Sequence, residues 1–244
     1  MEEFGLESFG DRLVLTAVDT AGIPMLEVSC DLMAKYALRM GADFKIISQS
    51  NRSSRTLPRP HAVKFHMANE LNYYKTVLWI DADCLVSPSA PNIFDNIPDS
   101  VDFAAWCQEG EAFLDSPIQR PKYNHGYFNS GVMLARSDLP FKLALNYMTN
   151  LKDKLTDQEL KSIMGEQTPL NKAVHDLGVK VHRLSEKWNF LLSEQQAHKL
   201  GVEFDLQAAY IVHCAGGMFT DASNPKDRSE RAEGMAKLRK SLGW

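Results

Sequence analysis

The sequence lacks any run of 18 consecutive apolar residues, and its cysteines form no C-x-x-C pair. Without such a run we expect no membrane-spanning helix, because crossing the hydrocarbon core takes about 20 apolar residues. Isolated cysteines argue against a zinc or redox motif, so we expect them to pack as small hydrophobic residues. The first five residues are acidic and form no apolar run, so no signal peptide is evident and we expect a cytoplasmic protein. The cysteines are Cys30, Cys84, Cys107 and Cys214.

A strong net charge is also missing. The 244 residues include 27 Lys and Arg against 31 Asp and Glu, so the formal net charge is 27 − 31 = −4, and the pI is near 6.0. A dedicated nucleic-acid-binding protein usually presents a strongly basic face, so we expect no nucleic-acid partner. Hydrophobic residues make up 44% and charged residues 24%. These proportions are ordinary for a globular protein and exclude disordered, collagenous and coiled-coil chains.

Along the chain, continuous apolar runs alternate with segments in which apolar residues recur every three or four positions, the spacing of an amphipathic helix. Residues 13–18 are almost continuously apolar, which is typical of a strand buried on both faces of a parallel sheet. Apolar residues spaced by four and three then predict a helix that opens near Pro24 and ends at Gly41. The pattern predicts an α/β protein with a mostly parallel, twisted central sheet flanked by helices. Further strands are predicted at 44–48, 76–80, 101–106, 131–135, 179–182 and 209–213, and further helices at 63–74, 139–152 and 167–177.

Two aspartates, Asp81 and Asp83, end the strand predicted at residues 76–80. Alternate residues of an extended strand face the same side, so both carboxylates can point together at the strand's carboxyl end. Open α/β sheets bind ligands in the crevice at those ends. Two close carboxylates repel each other, and their hard oxygen atoms suit Mn²⁺ or Mg²⁺. The spacing indicates a metal site, with a solvated turn as the alternative.

His213 ends another apolar strand and is followed by Gly216 and Gly217. An imidazole there can supply the nitrogen ligand that completes a metal site with the two aspartates. The paired glycines allow close backbone approach to a ligand, or simply a tight turn. An inert, hydrogen-bonded histidine at a strand end is the alternative.

Two other segments join polar side chains to a strand or a helix start. Asn129 and Ser130 precede the strand predicted at 131–135 and can hydrogen-bond ligand hydroxyls. Glu166 and Gln167 stand at a predicted helix N-terminus, where acidic groups are stabilised. Each segment also fits an ordinary turn or helix start, so neither decides by itself between binding and structure.

Taken in order, these segments resemble the GT-A glycosyltransferases, and most closely the family-eight retaining enzymes of the bacterial galactosyltransferase and glycogenin type. The resemblance covers residues from about 13 to 216, which is most of the chain. Five segments carry it: the D-x-D strand at 77–83, the N-[AS]-G strand at 129–131, the acid-glutamine-x-x-x-asparagine element at 166–171, the W-N pair at 188–189 and the H-x-x-G element at 213–216.

The resemblance implies a single GT-A (Rossmann-like) domain over residues 1–244. Its nucleotide- and metal-binding part would span about 11–106, its sugar and acceptor part about 107–220, and a basic tail 221–244. The implied metal ligands are Asp81, Asp83 and His213, and the implied catalytic residues are Glu166 and Gln167. The implied donor contacts are Asp19 near the base, Lys64 and Asn129 at the donor, and also Ala82, Ser130 and Gly216.

The implied activity is metal-dependent transfer of a hexose from a nucleotide-sugar donor to a saccharide or other hydroxyl acceptor, with retention. Mn²⁺ or Mg²⁺ is the implied cofactor, and UDP-glucose or UDP-galactose the expected donor. The cation would neutralise the departing diphosphate. We favour attack on the same face, in which the departing phosphate deprotonates the acceptor hydroxyl. The alternative is that Glu166 or Gln167 acts from the other face as stabiliser or nucleophile.

Two features depart from the family pattern. The family's H-x-x-G is followed by a basic K-P-W element that holds the diphosphate, whereas Gly217-Met218-Phe219 follows here. The acid of the 166–171 element is glutamate where aspartate is more usual, which moves the carboxylate outward by one methylene. The candidate substitutes for the missing basic element are Lys226, Arg228, Arg52, Arg55 and Arg59.

Three other functions fit parts of the sequence. A nucleotidyltransferase also combines an α/β sheet, aspartates and a divalent ion, but residues 19–22 match its glycine-rich basic loop poorly. A catalytically silent sugar-nucleotide-binding protein would keep the fold, and the missing basic element is consistent with one. An inverting glycosyltransferase would use a carboxylate such as Glu109, Glu111 or Asp115 as general base.

Two segments outside these motifs have alternatives of their own. Residues 106–127 are long for a connection, so they form either an acceptor-facing loop or an ordinary surface loop. Residues 226–244 carry six basic residues against three acidic ones, together with apolar residues. That tail would either lie on an anionic membrane surface as a peripheral contact or pack on the domain as a surface helix.

Overall fold

Nine strands lie within the described part of this computed structural model, which comprises residues 10–19, 22–49, 60–108, 123, 125–152, 166–192, 206–215 and 228–244. Every strand predicted from the apolar runs is present, and β3 has the predicted bounds. The sequence missed β4 and β8, which are too short to show a pattern. The strands are β1 (Arg12–Asp19), β2 (Asp43–Gln49), β3 (Thr76–Ile80), β4 (Cys84–Val86), β5 (Phe103–Gln108), β6 (Tyr127–Ala135), β7 (Val181–Arg183), β8 (Phe190–Leu191) and β9 (Ile211–His213).

Six of these strands form the central sheet, in the order β2-β1-β3-β6-β5-β7. β1 is parallel to β2 and β3, and β5 is parallel to β7. Among the six, β6 alone is reversed, since it is antiparallel to both β3 and β5. The predicted mostly parallel sheet is therefore confirmed. Because β6 is reversed, the end of β3 lies beside the middle of β6, where Ile80 pairs with Val132.

A second, three-stranded sheet has the order β4-β9-β8. β4 is antiparallel to β9, with Cys84 opposite His213, and β8 is parallel to β9. Residues 81–83 connect the end of β3 in the central sheet to the start of β4 in the second sheet. This short connection holds the two aspartates next to β9.

Most of the helices predicted from the sequence are present in the structure. α1 has Pro24 in its first turn, and Gly41 follows it with a φ of 60°, the left-handed conformation that commonly ends helices. The helix predicted at 63–74 is instead a 3₁₀ helix at Pro60–His66 that continues into the short α2. The α-helices of the described residues are α1 (Ile23–Arg39), α2 (Met67–Glu70), α3 (Ile93–Asn96), α4 (Leu139–Lys152), α5 (Gln167–Asp176) and α6 (Arg228–Leu242).

The central sheet separates two hydrophobic layers. Successive residues of β3 point to opposite faces. Leu78 and Ile80 lie in the layer that contains α1, whereas Val77 and Trp79 lie in the layer that contains α4 and α5. All five residues of β3 are buried. Helices therefore flank the sheet on both faces, which explains why its strands read as nearly continuous apolar runs.

The C-terminal helix α6 packs against α1. Ala232 and Met235 are buried in the hydrophobic layer of α1. Arg239 donates to both carboxylate oxygens of Asp31 on α1, at 2.7 Å each, and to Val28 O at 2.7 Å. Of the two alternatives for the basic tail, packing on the domain is the one observed for residues 228–242. Among the described helices, none has the length and apolar character needed to cross a membrane.

Candidate active site

Asp81 stands directly after β3, where the two sheets meet. Its backbone N–H donates to Gly131 O at 2.8 Å, which ties the end of β3 to β6. Its carboxylate is held through both oxygens. Trp79 Nε1 donates to Oδ1 at 2.7 Å, and Lys64 Nζ donates to Oδ2 at 2.9 Å. These three contacts fix the orientation of the Asp81 side chain.

Asp83 and His213 lie next to Asp81. Nε2 of His213 is 3.3 Å from Oδ1 of Asp83 and 3.9 Å from Oδ2 of Asp81. The pairing of β4 with β9 produces this arrangement, because Asp83 immediately precedes the residue that lies opposite His213. The side chains of His213, Asp83 and Asp81 are 5%, 15% and 22% exposed. The structure thus brings together the three residues predicted to bind metal.

Two asparagines orient His213. Nδ1 of His213 is 2.9 Å from Oδ1 of Asn189, and Nδ2 of Asn189 donates to Oδ1 of Asn129 at 2.9 Å. Because Asn189 turns its oxygen toward the imidazole, His213 carries a proton on Nδ1. In the neutral ring, Nε2 then presents its lone pair to the aspartates, as a metal ligand must.

This arrangement fits a divalent cation. With His213 neutral, Nε2 and Oδ1 of Asp83 are two acceptors 3.3 Å apart, and such a pair is stable only with a cation or a proton between them. Adjacent ligands of an octahedral ion with bonds of about 2.1 Å are about 3 Å apart, close to this spacing. Carboxylate oxygens suit Mn²⁺ or Mg²⁺, and the imidazole favours the transition metal of the two.

Lys64 links the aspartates to a second polar cluster. Its Nζ lies 2.8 Å from Oε1 of Glu166 and donates to Ser130 O at 3.0 Å and Ser130 Oγ at 3.1 Å. Ser130 Oγ donates to Oε1 of Glu166 at 2.9 Å, and Ser130 N donates to Oε1 of Gln167 at 3.1 Å. Lys64 and Glu166 are almost fully buried. Four predicted site residues therefore form one hydrogen-bonded network with Asp81.

Burial and charge oppose each other in this network. Burial favours the neutral form of Lys64, but the carboxylates of Asp81 and Glu166 outweigh it and raise the pKa of Lys64. Burial also raises the pKa of Asp81, and the positive charge of Lys64 only partly offsets this. Burial also acts on Asp83, but its contacts with His213 and the nearby charges of Arg231 and Lys64 outweigh burial, so the pKa of Asp83 is lowered to about 2. The two aspartates therefore differ, with Asp83 the more strongly ionised.

Cys84 adds a sulfur atom beside the aspartates. Its Sγ, a carboxylate oxygen of Asp83 and a ring nitrogen of His213 lie within 4.8 Å of one another. Cys84 is fully buried in the hydrophobic layer of α1, as expected for a free cysteine. Burial raises the pKa of the thiol well above its usual range, and sulfur is a softer ligand than Mn²⁺ or Mg²⁺ prefers. These properties favour a packing role for Cys84.

The comparison with protein families decides the class of this protein. Residues 27–218 match the model of glycosyl transferase family 8, which is more than half of the chain. The chain belongs to glycosyl transferase family 8. The resemblance seen in the motifs is confirmed, and so is the prediction of a glycosyltransferase enzyme. Membership of this family also decides against a nucleotidyltransferase.

Solved structures support the GT-A fold of this family 8 glycosyltransferase. A glycosyltransferase involved in glycosylation of the major capsid of PBCV-1 matches with a TM-score of 0.57 and 18% identity, over 93% of this chain and 99% of that one. The galactosyltransferase LgtC, solved with donor and acceptor sugar analogues, matches with a TM-score of 0.55 and 16% identity, over 93% of this chain and 95% of that one. The glycosyltransferase GlyE of Streptococcus pneumoniae matches with a TM-score of 0.56 and 14% identity, over 96% of this chain and 64% of that one. No curated protein matches the chain significantly.

The other predicted residues of this glycosyltransferase have different positions. Ala82, between the aspartates, is buried, and its carbonyl accepts from Ser29 Oγ at 2.8 Å. Asp19 ends β1, but its side chain lies outside the described residues, as does Gly216. Also outside are the proposed phosphate-binding and general-base candidates: Arg52, Arg55, Arg59, Lys226, the side chain of Arg228, Glu109, Glu111 and Asp115.

Three residues of the site were not predicted as site residues. Trp79 has a signal in the sequence, because it lies two positions before Asp81 and therefore on the same face of the strand. Asn189 belongs to the W-N pair, although the sequence does not show that its amide reaches His213. Arg231 has no signal, since Nη1 lies 3.2 Å from Oδ2 of Asp83 although 148 positions separate the two residues.

Proposed function

We propose that this glycosyltransferase moves a hexose from a nucleotide-sugar donor to a saccharide or other hydroxyl acceptor. The proposed reaction depends on Mn²⁺ or Mg²⁺ and retains the anomeric configuration, with UDP-glucose or UDP-galactose as donor. One observation carries the proposal: Asp81, Asp83 and His213 meet from two different sheets, with the imidazole 3.3 Å and 3.9 Å from the carboxylates. A buried site of this composition suits a cation that binds a diphosphate.

The chain itself holds this site in position. A divalent cation held there would neutralise negative charge on the diphosphate leaving group. Lys64 and Trp79 hold the two oxygens of Asp81, and Asn189 holds the ring of His213. Because these groups are oriented by other residues of the chain, they need little reorganisation as charge develops on the leaving group.

Gln167 is the proposed contact to the donor sugar. Its Oε1 accepts from the backbone N–H of Ser130, which fixes the amide. Its Nε2 is buried and has no hydrogen-bond partner among the described residues. An unpaired buried N–H group costs free energy, so Nε2 suits a sugar hydroxyl that would accept from it. Asp19, Ala82 and Gly216 remain proposed donor contacts.

Glu166 suits positioning better than nucleophilic attack. Its Oε1 is paired with Lys64 and accepts from Ser130 Oγ, and the residue is only 5% exposed. A carboxylate neutralised in this way is a weak nucleophile. Its contacts favour same-face attack, in which the acceptor oxygen bonds to the anomeric carbon while its proton passes to the departing phosphate oxygen.

Calorimetric titration with UDP, with and without Mn²⁺, tests donor and metal together. Asp83→Asn removes one negative charge from the site with little change of shape. Asp102→Asn makes the same change at an exposed position and serves as the control. We expect micromolar, Mn²⁺-dependent UDP binding by the wild type and the control, and its loss in Asp83→Asn. Failure of the wild type to bind UDP both with and without Mn²⁺ would contradict the proposed donor.

The product anomer tests the inverting alternative. The anomeric proton coupling in an NMR spectrum of the product separates the two outcomes. We expect the product to keep the configuration of the donor. Inversion would instead point to a general base, for which Glu109, Glu111 and Asp115 are the candidates.

A further inference from the structure

Arg231 brings a positive charge from the C-terminal helix to the proposed metal site. Its Nη1 lies 3.2 Å from Oδ2 of Asp83, and the two side chains are 16% and 15% exposed. The other oxygen of Asp83 faces His213. The carboxylate of Asp83 is thus shared between an imidazole of β9 and a guanidinium of α6.

The packing of α6 fixes the position of Arg231. The next residue, Ala232, is buried, and so is Met235 one turn further along. Two turns beyond Arg231, Arg239 binds both oxygens of Asp31 on α1 at 2.7 Å. A helix anchored by apolar burial and by a bidentate ion pair therefore presents the guanidinium to Asp83.

The charges of this cluster favour an anionic ligand once a divalent cation is bound. Among the described residues, Asp81, Asp83 and Glu166 contribute −3, and Lys64 and Arg231 contribute +2, so with His213 neutral the sum is −3 + 2 = −1. A divalent cation changes this sum to −1 + 2 = +1. Lys64 lies against Asp81 and Glu166, so within the described part of the chain it is Arg231 that supplies a positive charge on the Asp83 side.

A guanidinium has the right chemistry for a phosphate group. It is planar, permanently charged and carries five N–H donors in a fork that matches phosphate oxygens. A guanidinium in this place can therefore contact Asp83 and a phosphate oxygen at the same time.

We propose that Arg231 binds the diphosphate of the nucleotide-sugar donor beside Asp83. The assignment rests on the proposed function, because a cation bound by Asp83 brings the diphosphate of such a donor to this place. Asp83 holds the guanidinium beside the proposed cation, where it would donate to an oxygen of the diphosphate. Arg231 is thus a donor-binding residue supplied by α6.

Calorimetry with UDP and UMP in the presence of Mn²⁺ tests this assignment, together with Mn²⁺ titration without nucleotide. The variants are Arg231→Gln and Arg231→Lys, and the control is Lys237→Gln, which removes an exposed charge from the same helix. We expect Arg231→Gln to weaken UDP binding about 10-fold to 100-fold and UMP binding less. Arg231→Lys should be intermediate, because it keeps the charge without the fork. Without nucleotide, Mn²⁺ should bind to Arg231→Gln at least as tightly as to the wild type, since the variant lacks the positive charge beside Asp83.

Three results would overturn the assignment, and they are distinguishable. Unchanged UDP affinity in Arg231→Gln overturns it while leaving the proposed donor intact. Equal losses of UDP and Mn²⁺ affinity also overturn it, because Arg231 would then only hold the site together. Failure of the wild type to bind UDP overturns the proposed donor and this assignment together.

Discussion

The ring of His213 occupies the space that a side chain at Gly131 would fill. A Cβ at position 131 would stand 2.2 Å from Cε1 and 2.4 Å from Nδ1 of the imidazole, and 2.9 Å from Oδ1 of Asn129. Side chains in folded proteins do not approach this closely. Glycine is therefore required on β6 for the imidazole on β9 to reach the aspartates after β3.

Replacing this glycine should disrupt the proposed metal site. In Gly131→Ala the added methyl group would displace the imidazole, so we expect Mn²⁺ affinity to fall at least about tenfold, approaching that of His213→Ala. Mn²⁺ titration followed by electron paramagnetic resonance measures the loss, and thermal unfolding shows whether the variant is folded. A folded Gly131→Ala protein with wild-type Mn²⁺ affinity would contradict this role of the glycine.

Lys64 should stabilise the fold as well as the site. Lys64→Met leaves the buried carboxylates of Asp81 and Glu166 without their shared cation, so we expect the free energy of unfolding to fall by about 3–5 kcal/mol. Urea unfolding measures the change. Lys45→Met, which removes a half-exposed lysine paired with Glu70, should cost less than about 1 kcal/mol and serves as the control.

A double mutant separates charge from packing in the same network. Glu166→Gln removes one of the two carboxylates that Lys64 neutralises, so adding it to Lys64→Met should recover part of the lost stability. The coupling free energy comes from urea unfolding of the two single variants, the double variant and the wild type. Strictly additive effects would show that Lys64 and Glu166 do not stabilise each other.

Asn189 should control metal affinity through the ring it orients. Asn189→Ala removes the acceptor at Nδ1 of His213, so the imidazole loses its fixed tautomer and position. We expect Mn²⁺ affinity to fall about 10-fold to 100-fold. Asn150→Ala, an exposed change on α4, should leave it unaltered. Wild-type Mn²⁺ affinity in a folded Asn189→Ala protein would show that His213 is held by other contacts.

The attachment of α6 should weaken in acid. The hydrogen bonds from Arg239 are the main reason that the pKa of Asp31 is lowered. A lowered folded-state pKa adds stability above the unfolded value, about 3.9 for Asp, and this is lost as the pH falls through the folded value. The stability difference between wild type and Asp31→Asn should therefore be full near pH 6 and shrink below about pH 4. Urea unfolding at several pH values measures it, and a constant difference would contradict the prediction.

Local patterns were sufficient for most of the fold. Thr76–Ile80 and Leu139–Lys152 have the predicted bounds because each carries its own signal, a continuous apolar run or a helical stripe. Asp81 and Asp83 could be predicted as candidate metal ligands because they stand at the end of such a strand. The sequence did not distinguish the 3₁₀ helix at Pro60–His66 from an α-helix, and it missed the two-residue β8, because both are too short to carry a distinguishing period.

The sequence alone was enough to predict the α/β class, the family, and Asp81, Asp83 and His213 as candidate metal ligands, since local side-chain patterns and motifs indicate these. Only the tertiary structure decided which groups touch. The pairing of β9 with β4 sets the 3.3 Å contact between His213 and Asp83, and the docking of α6 on α1 brings Arg231 to the same carboxylate. Such contacts depend on how distant apolar surfaces pack, and no local pattern specifies that.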